Sequence, residues 1–173
     1  MNIKLIYRIL SYILLIVAAF IGIGVLAGFF IALANPALLL NIFIAAAVVM
    51  YSISSFLFLI NGIDGKKQLK TGMKDFIRVN GFVALFFCIM NLFQSITVIM
   101  NPAVLNEAVT QLPQMTTGQQ LPKEMILKVL KATMWFLLFY SILLFVHIQI
   151  SFRLLKQYAH LFGQKADDNN SSF

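Results

Sequence analysis

Four apolar runs without a single charge, at about residues 9–34, 37–60, 79–100 and 132–152, divide the chain. A hydrocarbon layer about 30 Å thick is crossed by about 20 helical residues. Each run is therefore long enough to span a membrane as a helix, and the first, Ile9 to Ala34, is long enough that it is expected to tilt. Between the second and third runs lies a basic stretch, residues 61–78, with Lys66, Lys67, Lys70, Lys74 and Arg78. Leu69, Met73, Phe76 and Ile77 cluster on a helical wheel beside those cations, so a short amphipathic helix from Lys66, apolar side toward the bilayer, is one reading, and a basic loop that only sets topology is the other.

The polar residues inside the runs are periodic. Asn41, Ala45, Ser52 and Ser55 share one helical face of the second run, Asn80, Ala84, Asn91 and Ser95 one face of the third, and Thr133, Tyr140, His147 and Ser151 one face of the fourth. An amide or imidazole in hydrocarbon needs a partner on another helix, so Asn41, Ser52, Asn91, Ser95, Tyr140, His147 and Ser151 are the candidates for an intramembrane polar seam. Gly24 and Gly28 of the first run form a GxxxG, extended by Ala32, that lets a second helix approach closely.

Punctuation supports the same division. Asn35-Pro36 and Asn101-Pro102 suit an N-cap followed by the first helical position, and Pro122 can open the last helix. Asn61-Gly62 and Asp64-Gly65 are turn dipeptides expected to stop the second helix. Residues 101–125 form the second connector, with a short interfacial helix from Ala103, and residues 164–173 read as a disordered polar tail. The expected fold is an all-α membrane protein, a four-span antiparallel bundle of two hairpins filling residues 1–163. The basic residues before the first run and Ala32-Leu33-Ala34 after it suit a signal peptide, but the run is about twice the usual apolar length, so an uncleaved span is expected.

Composition sharpens the class. The 173 residues are 61% hydrophobic and 11% charged, with a mean hydropathy of +0.91, far beyond soluble domains. The net charge of +7 does not imply nucleic acid, because the cations flank apolar runs. With the N-terminus inside, Lys4, Arg8, the five hinge cations, Arg153, Lys156 and Lys165 face inward, and Lys123, Lys128 and Lys131 outward. That asymmetry predicts both termini in the cytoplasm and residence in the plasma (inner) membrane. Acidic phospholipid is the expected partner of Lys66, Lys67, Lys70, Lys74 and Arg78, each cation near an anionic leaflet contributing about 1 kcal/mol. The polar stripes also leave room for a homo-oligomer or another membrane protein.

The repeated Asn35-Pro36-Ala37 and Asn101-Pro102-Ala103 look like the paired motifs of the aquaporin family. That resemblance would imply six spans and motifs meeting from opposite faces. Four spans put both motifs on one face, and Val104 stands where the family has an arginine. In size and span number the chain also resembles the small multidrug transporters, but the runs contain no Asp or Glu to take the place of that family's embedded glutamate. Cys88 is alone, and His147 and His160 have no acidic or thiol neighbours in the sequence, so no metal, cofactor or catalytic residues are expected. The leading expectation is a non-enzymatic structural or protein-interaction component of the membrane. The alternative is a small oligomeric channel or transporter with its pathway along Asn91, Tyr140, His147 and Ser52.

Overall fold

The computed structural model describes residues 3–111 and 122–163. The tail 164–173, and the part of the second connector at 112–121, lie outside the described residues. Five α-helices account for nearly all the rest: α1 (Ile3–Ala34), α2 (Leu39–Leu57), α3 (Thr71–Met100), α4 (Pro102–Gln111) and α5 (Lys123–Gln157). A 3-10 turn (Pro36–Leu38) leads into α2, a π-helical segment (Phe58–Asp64) continues it, and a 3-10 turn (Ala159–Leu161) follows α5. Four helical stretches, Ile3–Ala34, Pro36–Asp64, Thr71–Met100 and Lys123–Gln157, are long and apolar enough to cross a membrane. Their outer faces suit hydrocarbon: Phe20, Leu26 and Phe30 of α1 are each about 70% exposed, an arrangement that water would penalise and lipid does not.

The described residues form two compact units, one of residues 3–87 with 144–163 and the other of residues 88–111 with 122–143. In the first unit, the neighbouring pairs Tyr7/Ser55, Gly22/Val49 and Gly28/Ile42 run in opposite order along α1 and α2, so these helices are antiparallel. Their turn is made by the residues the sequence assigns to it. The Asn35 side chain accepts from the Ala37 N–H at 3.2 Å, Pro36 takes the first helical position, and the Asn35 N–H closes α1 on Ile31 and Ala32. In the second unit Asn101 repeats the device, closing α3 on the Thr97 carbonyl and accepting from Ala103 N–H at 3.3 Å. Both Asn-Pro-Ala motifs thus act as helix punctuation.

The basic hinge departs from expectation at two points. Asn61-Gly62 does not stop the helix, which runs on to Asp64 with widened turns. Gly62 serves close packing instead: a Cβ there would lie 2.9 Å from Leu69 Cδ1 and 3.1 Å from Phe58 Cδ2. The helix ends at Gly65, whose N–H reaches five residues back to Ile60, and Lys66 then turns through the left-handed region at φ 48°. Nor does an amphipathic helix begin at Lys66. Residues 66–70 are a non-helical linker, and Met73, Phe76 and Ile77 fall on the first turns of α3, which starts at Thr71 and not near residue 79. The linker's peptide groups are taken elsewhere. Leu69 N–H donates to Leu161 O at 2.8 Å, Gly163 N–H donates to Leu69 O at 3.3 Å, and the Thr71 hydroxyl donates to Gly163 O at 2.5 Å. Phe162 is buried there, stacked on Phe58 at 5.5 Å.

Of the two glycines in the GxxxG, Gly28 makes the close approach, since a Cβ there would lie 2.6 Å from Ile42 Cδ1. Gly24 is exposed with open space around it. A Cβ on Gly65, by contrast, would press on main-chain oxygens of Ile60 and Asn61 at 2.9 Å, which cannot yield as a side chain can. We therefore expect Gly65→Ala to lower stability by about 1–3 kcal/mol and Gly24→Ala to change it by less than about 0.5 kcal/mol. Reversible unfolding in mixed detergent micelles checks both.

Candidate functional site

The side chains with the richest chemistry lie in the first unit, where α1, α2 and the C-terminal half of α5 bring six polar groups into a buried cluster around His147. The ring is 1% exposed. Its Nε2 lies 2.9 Å from Ser11 Oγ and its Nδ1 lies 2.9 Å from the Tyr51 hydroxyl. Ser11 commits its only proton to the Tyr7 carbonyl one turn back, at 2.7 Å. In that arrangement the serine accepts from the ring, the ring proton sits on Nε2 and Nδ1 accepts from Tyr51. Tyr7 lies flat against the same ring, centroids 4.6 Å apart and planes within 7°.

A second set of bonds begins at the Tyr7 hydroxyl, 2.6 Å from Ser55 Oγ, 3.2 Å from Ser55 O and 3.4 Å from Ser151 Oγ. One proton and two lone pairs account for all three contacts if the tyrosine donates to the carbonyl and accepts from the serines. Helical spacing explains the construction. Tyr7/Ser11, Tyr51/Ser55 and His147/Ser151 are each i,i+4 pairs, so every helix brings two polar groups on one face, one turn apart. Gly81 of α3 permits its helix to close on this region, since a Cβ there would lie 2.9 Å from Phe152 and 3.3 Å from the Tyr51 ring.

The seven seam residues read from the sequence are distributed unevenly. His147 and Ser151 join the cluster. Ser52 is buried, but its hydroxyl donates to Val48 O within α2 at 2.9 Å. Asn41 is exposed on α2. Asn91, half-buried, and Ser95 and Tyr140, buried, belong to the second unit. Ser95 Oγ and Ser141 Oγ have no hydrogen-bond partner among the described residues. Tyr7, Ser11, Tyr51 and Ser55 are absent from the sequence-derived seam. Their signal is the i,i+4 pairing of a tyrosine with a serine, on α1 and again on α2.

The five hinge cations divide as well. Lys66, Lys67 and Lys70 stand exposed on the linker, while Lys74 and Arg78, half-buried, ride on α3, Arg78 lying 3.9 Å from Asp75. Arg8 of α1 reaches Asp64 at 2.6 Å and ties the start of α1 to the end of the π-helical segment. With both side chains well exposed, that pair contributes at most about 1 kcal/mol. Elsewhere in the first unit, an apolar cleft of about 340 Å³ lies between α1 and α2 near the Asn35 turn, lined by Val25, Phe29, Ile42 and Phe43 among others, and offers no polar group. Among the described residues no three metal-ligating side chains gather.

Comparison of the chain with protein-family models, with curated proteins and with solved structures finds no match.

In membranes an interhelical hydrogen bond contributes about 0.5–2 kcal/mol. We expect Tyr51→Phe and Ser11→Ala each to destabilise within that range, and His147→Leu to cost more, because it removes both interhelical bonds at once. Unfolding of the His147→Leu/Tyr51→Phe double variant should be milder than the sum of the singles, the signature of a shared bond.

Proposed function

We propose that this chain is a non-enzymatic, multi-pass component of the plasma (inner) membrane that acts by packing, against itself or against other membrane proteins, with its basic hinge contacting lipid headgroups on the cytoplasmic side. The reading takes the four candidate spans as a bundle of two hairpins with both termini in the cytoplasm, in keeping with the uneven distribution of its cations. One observation carries it. The intramembrane histidine, the group best able to relay a proton or hold a ligand, has both ring nitrogens engaged by Tyr51 and Ser11 and a tyrosine stacked on its face. A relay or binding site also needs an opening to water or ligand, and the ring is 1% exposed. Here the ring is spent on joining α1, α2 and α5, the role that polar side chains commonly play between membrane helices. The large exposed side chains of α1, among them Phe20, Leu26 and Phe30 beside the open Gly24, provide a face for lipid or for a neighbouring helix.

Flux measurements on proteoliposomes test the proposal. Protons, alkali ions, halides and water should cross vesicles containing the purified protein no faster than empty ones. A flux that His147→Leu or Asn91→Leu abolishes, with the protein still folded, would replace this reading with that of a channel or carrier.

A further inference from the structure

Cations that are far apart in sequence meet at one end of the first unit. The linker is clasped to residues 161–163 by two main-chain bonds and the Thr71 hydroxyl. Lys4 of α1 stands over the Tyr158 ring, 5.3 Å from its centroid, and Tyr158 and Phe162 both pack on Phe58. Arg8 touches Asp64 immediately before the linker. The start of α1, the linker and the last turn of α5 therefore share one rim, with Lys4, Lys66, Lys67, Lys70 and Lys156 all exposed on it. The acids do little to neutralise them. Among the described residues of this unit only Asp64 and Asp75 are acidic, and each already lies against an arginine.

We propose that this rim is a binding site for the phosphodiester headgroup of an anionic phospholipid, with Lys66, Lys67 and Lys70 as its principal cations. The inference rests on the membrane reading above and deepens its lipid contact from a general attraction to a built site. Two features separate it from cations that merely orient the chain. First, the linker carrying the three lysines is held by hydrogen bonds, so less freedom is lost on binding than for a loose basic loop. Second, the apolar groups beside them, half-buried Leu69 and Met73 and exposed Phe76, keep the ammonium groups close to the depth where lipid phosphates lie.

The test is competition between lipids for the detergent-purified full chain, read by native mass spectrometry of bound lipid. With phosphatidylglycerol and phosphatidylcholine of identical acyl chains at equal concentration, the wild type should retain the anionic lipid about tenfold over the neutral one. Lys66→Gln/Lys67→Gln/Lys70→Gln should bring the ratio close to one. Lys123→Gln/Lys128→Gln/Lys131→Gln removes the same charge from α5 in the second unit and should leave the ratio unchanged. Thr71→Val, which alters no charge but removes the side-chain bond of the clasp, should lower it about threefold. Each variant's lipid-free unfolding midpoint establishes that it is folded. Equal retention of the two lipids by the wild type overturns the proposal, as does an unchanged ratio in the linker triple variant or an equal loss in the α5 triple variant. Full retention by Thr71→Val overturns the role given to the clasp. Displacement of the bound lipid by soluble glycerol 3-phosphate at comparable concentration would assign the site to a free phosphoester. Flux through proteoliposomes is read separately, so a transporting protein with intact lipid preference would overturn the packing reading and leave this one standing.

Discussion

The constraint on which the structure depends is that hydrocarbon supplies no hydrogen bonds, so every polar group placed within it must find its partner in the protein. Helices satisfy the backbone, and in the first unit the arrangement around His147 brings six of the remaining polar side chains together. Ser11, Tyr51, Tyr7, Ser55 and Ser151 are joined through that ring and the tyrosine stacked on it, and each bond lies between two helices or between a side chain and its own helix. Serines elsewhere in α2 take the second course, Ser52 and Ser54 returning their hydroxyls to carbonyls one turn back. Because the individual bonds are modest in membranes, their value lies in register. A helix that slid by one residue would lose them together.

The same constraint explains where the chain is allowed to leave the helix. At Asn35 and Asn101 the side chain replaces a missing backbone partner, and a proline follows where no donor is needed. At the hinge, where five residues leave the helix, the peptide groups of Leu69 are satisfied by the segment after α5. That solution joins the ends of the first unit. The rim of cations follows from it, because the clasp that satisfies the linker also brings Lys4, the linker lysines and Lys156 into one neighbourhood.

Much of the fold was legible in the sequence where a single residue type forces a single outcome. Uninterrupted apolar runs can only be long buried or lipid-facing helices, and Asn followed by Pro sets a boundary whatever surrounds it. The His147/Ser151 pair was legible from helical spacing alone. What escaped was decided by neighbours. Asn61-Gly62 reads as a turn, yet Leu69 and Phe58 fill the space above Gly62 and the helix continues. The hinge pattern fits an amphipathic helix, yet the segment following α5 claims the linker's backbone. Tyr7, Ser11 and Tyr51 escaped because nothing local shows that their helical faces meet His147. The periodic stripes also overstated continuity, since residues sharing a helical face can belong to different compact units, as Tyr140 and His147 of α5 do.

The most direct test of the central claim is the protonation pattern of the His147 ring, read by solid-state NMR of the ¹⁵N-histidine-labelled protein in bilayers, with His147→Leu to assign the signal. The account predicts one neutral tautomer with the proton on Nε2, protected from exchange with deuterated water. A ring protonated on Nδ1, a mixture of tautomers, or rapid exchange would mean that Ser11 and Tyr51 do not hold it, and that the polar centre is open, not a joint between helices.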